Sequence, residues 1–80
     1  MTTVMRLQVF GKITDIVPPE DQLELVLPMT GGELRTALHR AYPLLAHIPL
    51  RLAVDGVMVA DETVVSTGTE LVVFPPASGG

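Results

Sequence analysis

Hydrophobic and polar residues alternate with period two near the start of the chain, with Met5, Leu7 and Val9 set against Arg6 and Gln8. This is the pattern of a strand with one buried face. Gly11 ends it, and the stretch to Asp21 reads as a loop or a short helical turn, with Pro18-Pro19 blocking regular continuation. A second alternation sets Leu23, Leu25 and Leu27 against Gln22, Glu24 and Val26. The two runs can pair as a long-looped hairpin.

The best local signal is a helix start. Thr30 followed by Glu33 forms a capping box, in which each side chain satisfies the other residue's backbone N–H. Met29 before the cap and Leu34 inside the helix are placed for a hydrophobic staple. Leu34, Ala37, Leu38 and Ala41 keep helical spacing, with Arg35, Thr36, His39 and Arg40 elsewhere on the wheel. Pro43 disfavours helix at Tyr42, so a short amphipathic helix ends there and is expected to lie on a sheet.

From Leu44 to Pro49 the chain is apolar without a period, which suggests a crossover on the edge of the core. Residues 51–54 read as a strand, Asp55-Gly56 as a tight turn and residues 57–59 as the returning strand. The stretch from Asp61 to Gly68 is turn-like around Val64-Val65, and Glu70 to Phe74 forms a last, β-branched strand. The order strand, strand, helix, strand, strand, strand predicts an α+β mixed sheet of about five strands with one main helix across a face. If the first and last strands lie side by side in parallel, this is the ubiquitin-like β-grasp roll; periodicity does not fix that pairing.

An 80-residue chain makes one small domain that buries about 60% of its unfolded surface, enough for a thin core but not for a large internal pocket. That argues against a self-contained enzyme. Apolar residues reach 48%, too many for a disordered chain, yet no run approaches a membrane span and no signal-peptide pattern stands at the start. A cytoplasmic location is the default expectation. The formal net charge is −4, and the five bases, Arg6, Lys12, Arg35, Arg40 and Arg51, are scattered, which speaks against nucleic acid. There is no cysteine, so disulfides, thiolate zinc sites and cysteine nucleophiles are excluded. His39 and His47 with Asp61-Glu62 lack the clustering of metal ligands, and Thr30-Gly31-Gly32 lacks the lysine of a phosphate loop. No metal site is expected.

The strand pattern stops after Phe74, dividing a domain of residues 1–74 from a tail of residues 75–80: Pro75, Pro76, Ala77, Ser78, Gly79 and Gly80. Two prolines favour an extended polyproline II segment, and six residues can reach about 20 Å. The final side chains are tiny, so such a tail fits a narrow slot and can deliver the Gly80 carboxylate into another protein. A carboxylate is a poor electrophile and needs activation, as an acyl-adenylate, before a sulfur donor can convert it to a thiocarboxylate. With no internal thiol to compete, any sulfur carried sits on the C-terminus.

These residues resemble a family. Gly68-Thr69-Glu70-Leu71-Val72-Val73-Phe74-Pro75-Pro76-Ala77-Ser78-Gly79-Gly80 is similar to the C-terminal signature of the molybdopterin synthase small subunit, within the ubiquitin-like sulfur carriers. Val9-Phe10-Gly11, Tyr42-Pro43 and Leu52-Ala53-Val54-Asp55 resemble that family's further motifs in order and spacing. The resemblance implies a flexible Gly-Gly tail on a β-grasp domain that is not itself an enzyme. An E1-like adenylyltransferase/sulfurtransferase would use ATP to adenylate Gly80 and convert it to a thiocarboxylate, and this chain would bind no cofactor. Pro75 to Gly79 would insert into the large subunit of a heterotetramer of two small and two large subunits. Sulfur would pass there to cyclic pyranopterin monophosphate, and Phe74 would pack against partners. Ile13-Thr14-Asp15 departs from the family's usual Leu-Arg-Glu, Asp55 from an asparagine, Thr69 from an aspartate and Ala77 from a valine. Competing readings are a carrier for thiazole synthesis or tRNA thiolation, a protein modifier conjugated through Gly80, and an interaction domain with an inert tail.

Overall fold

The structure is a computed structural model and describes residues 1–76; Ala77, Ser78, Gly79 and Gly80 lie outside the described residues. β1 (Thr2–Val9) and β2 (Gln22–Val26) pair antiparallel as a long-looped hairpin, Met5 opposite Leu23. Between them, Gly11–Asp15 forms a 3-10 turn that sends Ile13 fully into the core.

The helix α1 (Gly31–Ala41), the one α-helix among the described residues, starts with the expected capping box. The Thr30 amide donates to a Glu33 carboxylate oxygen at 2.8 Å, and the Glu33 amide to the Thr30 hydroxyl oxygen at 3.2 Å. Leu34 and Leu38 are fully buried against the sheet, while Ala41, placed on the same stripe by its spacing, is exposed at the helix end. The Pro43–His47 stretch, which showed no period, is a second 3-10 turn. A three-residue turn brings Leu45 and Ile48 to the core side and leaves Leu44 and His47 in solvent, so only part of this crossover covers the core.

Five more strands are present among the described residues. β4 (Arg51–Val54) and β5 (Val57–Val59) make a hairpin whose turn residues, Asp55 and Gly56, both have positive φ, at 48° and 85°. This is the geometry an Asp-Gly pair supplies in a two-residue hairpin. Val64-Val65, expected only to turn, forms the short strand β6 and pairs antiparallel with β3 (Met29–Thr30) in a two-stranded ribbon. Two residues are too few for an alternation to register in a sequence. β7 (Glu70–Phe74) sits at the centre of the main sheet, whose order is β2-β1-β7-β4-β5.

β7 runs parallel to β1 and antiparallel to β4. The parallel pairing of first and last strands, with one helix across the sheet, defines the β-grasp, ubiquitin-like fold. The core lies between helix and sheet and includes Met5, Leu7, Leu34, Leu38, Leu52, Leu71 and Val73. Among the described residues Val73 is the last member of this core.

Candidate functional site

The site is built where the chain leaves the sheet. β7 alternates between two faces: Leu71 and Val73 point into the core, while Glu70, Val72 and Phe74 lie on the face away from the helix and are half-buried. Register then decides their neighbours. Ala53 on β4 stands opposite Val72, Met58 on β5 opposite Ala53, and Arg51 on β4 opposite Phe74. Met58 is 51% exposed. Phe74, Val72, Ala53 and Met58 therefore form an apolar band across the outer face, with Arg51 paired opposite Phe74 at its end.

Phe74 ends β7, and the tail starts at Pro75, which is exposed, and Pro76, which is half-buried. Two shallow grooves flank this start. One is lined by Lys12, Ile13, Ile48 and Pro49 together with both prolines. The other brings Arg35, His39, Arg51 and Met58 alongside Pro76. Arg35 is held there by its guanidinium, which donates to the Leu50 carbonyl at 2.9 Å and pairs with Asp61 at 3.4 Å. The remaining expected site residues, Ala77 to Gly80, lie outside the described residues, and the structure brings only Phe74, Pro75 and Pro76 together.

Sequence reasoning did not pick out Val72, Ala53, Met58 and Arg51 as companions of Phe74. Val72 was legible, two positions before Phe74 on the same strand. Ala53, Met58 and Arg51 needed the β7–β4–β5 register, which alternation does not carry.

The strand feeding the site is fixed from below. The Asp55 carboxylate accepts from the backbone amides of Glu70 at 2.9 Å and Thr69 at 3.1 Å, and from the Thr69 hydroxyl at 3.0 Å. These amide donors, Glu70 foremost and then Thr69, hold its carboxyl below the ordinary carboxylate range. All three bonds go to Oδ1, which an asparagine would also present; what the aspartate adds is the charge and a longer approach of Oδ2 to the Thr69 amide at 3.2 Å.

Elsewhere the candidates from sequence are accounted for structurally. The amides of Gly31 and Gly32 donate to the Thr63 and Asp61 carbonyls at 2.8 and 2.9 Å, so the helix N-terminus is occupied by the chain itself. His47 ends the second 3-10 turn, and among the described residues no three potential metal ligands lie together. No helix among the described residues is long and apolar enough to cross a membrane.

A ubiquitin-like β-grasp domain with an extension leaving its central strand is thus the class of protein that fold and site define. Residues 7–80 match the family model described as the ThiS family, and the chain belongs to that family. The family has the fold of ubiquitin-like sulfur carriers and modifiers, small proteins generally without catalysis of their own that partner with E1-like activating enzymes and sulfur-accepting enzymes. Comparison with curated protein sequences finds no match.

Among solved structures, the fold is similar to the crystal structure of SAMP1 from Haloferax volcanii, at 22% identity and a TM-score of 0.71, covering 98% of this chain and 100% of that one. It is also similar to the solution structure of the HVO 2177 protein of the same organism, at 20% identity and a TM-score of 0.76, covering 99% and 88%. A further crystal structure, of H. volcanii small archaeal modifier protein 1, matches at 20% identity and a TM-score of 0.70, covering 92% and 98%. At these identities the likeness is one of fold.

Proposed function

We propose that this chain is a carrier whose C-terminal Gly80 is adenylated, converted to a thiocarboxylate and used as a sulfur donor in molybdenum cofactor biosynthesis, as the small subunit of molybdopterin synthase. The observation that carries the carrier reading is the exit of the chain at Pro75-Pro76 from the central strand of the sheet, beside the Phe74 band, with Ala-Ser-Gly-Gly following in the sequence. The domain supplies a docking face, and the tail supplies reach. The finer assignment to molybdopterin is supported by the resemblance of residues 68–80 and of Val9-Phe10-Gly11 to that subunit's motifs.

The chemistry balances without a catalytic group on this chain. A Gly80 carboxylate oxygen attacks the α-phosphorus of ATP on the activating enzyme, and pyrophosphate leaves. A sulfide-level donor then attacks the acyl carbon and AMP departs, leaving the thiocarboxylate. After sulfur passes to the acceptor, water restores the carboxylate. No cofactor is held by this chain, and the partners are the activating enzyme and the large synthase subunit in a two-plus-two assembly.

A second reading follows from the likeness in fold to SAMP1 and small archaeal modifier protein 1, whose name describes a modifier. In it, a lysine amine rather than a sulfur donor takes the activated Gly80. Intact mass after incubation with a cognate activating enzyme, ATP and a sulfur donor separates the two. One sulfur replacing one oxygen at Gly80 supports the carrier, and conversion of the pterin precursor by the reconstituted synthase supports the finer role. Isopeptide-linked adducts without a thiocarboxylate support the modifier. Unchanged mass with an enzyme proven active on another carrier overturns both.

A further inference from the structure

Because β1 and β7 are parallel neighbours, both leave the sheet at the same end. Their register runs to Val9 opposite Val73, and beyond it the Phe10 amide donates to the Val73 carbonyl at 3.2 Å. One step further, Gly11 and Pro75 emerge side by side. Gly11 has φ of +64°, turning the chain sharply into the 3-10 stretch, and the Thr14 hydroxyl locks that turn by donating to the Gly11 carbonyl at 2.8 Å. A Cβ at position 11 would stand 3.0 Å from Cγ and 3.4 Å from Cδ of Pro75. The pyrrolidine ring thus lies directly on a bare α-carbon, and Ile48 and Pro49 help wall the groove around it.

We infer that Gly11 is a positioning residue: it forms the seat on which Pro75 rests, and this seat sets the direction in which the tail leaves the domain. The φ angle of proline is already fixed by its ring. Holding the ring against the first strand's exit therefore fixes the remaining freedom at the base of the tail. Direction matters because five residues follow Pro75. Their contour is up to about 17 Å, so a tilt of about 20° at the base moves the end by about 6 Å. A tail aimed before docking loses less freedom on entering a narrow channel, so a larger share of docked carriers reacts.

The role in rate rests on the carrier reading above; the seat itself does not. Gly56 provides a matched control, since its φ is +85° and a Cβ there would meet nothing within 4 Å. Both Gly→Ala variants place an alanine at positive φ, +64° at Gly11 and +85° at Gly56, but only Gly11→Ala crowds the tail.

The test has a spectroscopic and a kinetic arm, both on the full chain. In the wild type, nuclear Overhauser cross-peaks should join the Pro75 ring to the Gly11 α-protons, and Gly11→Ala should shift the Pro75 resonances away from their wild-type positions while Gly56→Ala leaves them. In adenylation of Gly80 by the activating enzyme with ATP, Gly11→Ala should lower kcat about three- to tenfold. KM for the carrier should stay within about twofold, because the Phe74 face is untouched. Gly56→Ala should also melt earlier than the wild type yet keep wild-type kcat. Pro75→Ala should reproduce the kcat loss, and the double variant should add nothing to it, since both changes remove one contact. Missing cross-peaks in the wild type, equal kcat for the two glycine variants, or recovery of kcat in the double variant would each overturn the seat. Normal adenylation of a chain lacking Gly80 would overturn the carrier reading alone, and the cross-peaks then decide the seat.

Discussion

At Gly31, an added Cβ would lie 2.0 Å from the Ala60 carbonyl oxygen and 2.7 Å from a Val59 methyl, whereas at Gly32 the nearest atom is the Asp61 carbonyl oxygen at 3.4 Å. The two neighbours therefore separate packing from helix propensity. Gly31→Ala must push the helix off the β5–β6 connection, breaking the Gly31 amide's bond to Thr63, and should cost about 3 kcal/mol or more in urea unfolding. Gly32→Ala should stay within about 1 kcal/mol of wild type, because the methyl is accommodated and alanine favours the helix. A Thr30-Gly31-Gly32 run was legible as a cap rather than a phosphate loop, since Glu33 follows. That Gly31 is glycine because a backbone carbonyl passes beneath it was not, for Ala60 is distant in sequence. Asp55 gives a pH test at the same scale. Its folded carboxyl is held below the ordinary value of 3.8, so the clamp contributes fully above that pH and is lost as pH falls through the lower folded value. Acid unfolding followed by circular dichroism should show this loss in the wild type and a flatter profile for Asp55→Asn below about pH 4. At the alkaline end Tyr42, whose hydroxyl donates to the Asp21 carboxylate, is raised from 10.0 to about 12, chiefly by burial and then by Asp21. Its contribution is complete below pH 10 and fades as pH rises through about 12, so Tyr42→Phe should lose the dependence in that window.

Alternation made β1 and β2 legible, because each buries every second residue, whereas β7 was legible from its β-branched, apolar run. The Asp-Gly turn made the β4–β5 hairpin legible as well. What alternation cannot carry is the partner of each strand. The same period suits β7 beside β1, β4 or β2, and the choice of the centre comes from closing a core with Leu71 and Val73 beneath α1. Hence the sequence pointed to Phe74 but not to its band. At this scale the outer face should behave as a docking surface separable from the fold. Phe74→Ala removes a half-buried ring that lies on the face opposite the core, so the melting temperature should change little. Association with the large partner should weaken at least about tenfold, the usual effect of truncating a central aromatic anchor. Calorimetric titration beside a melting curve checks both. An unfolded variant would return Phe74 to the core, and unchanged affinity would remove it from the interface.

Over the whole molecule, the proposed function assigns stability to the domain and reach to the tail. Among the described residues the core cluster ends at Val73, and Pro75 is exposed. Shortening the chain by Gly80, or lengthening it by one residue, should therefore leave the melting temperature almost unchanged. The effect on transfer should be total. One residue of extended chain moves the terminus by about 3.5 Å, and a displacement near 1 Å already costs about a hundredfold when reacting atoms must be aligned. An appended residue also turns the reacting carboxylate of Gly80 into an amide, which accepts no adenylate. Gly79→Val tests the same division differently, because it keeps the length and the carboxylate and adds only a branched side chain. It should melt with the wild type yet fail to transfer, through collision with a channel shaped for glycine. Conversion of the pterin precursor by the reconstituted synthase, measured beside melting curves for all three variants, distinguishes these causes. Adenylation of the Gly80 carboxylate should survive in Gly79→Val only where the activating enzyme's channel is wider than the synthase's, whereas the appended chain should lose adenylation at Gly80 in every case. Full activity from the chain lacking Gly80 would show that the terminus carries nothing, and would leave the domain as a binding module whose tail is inert.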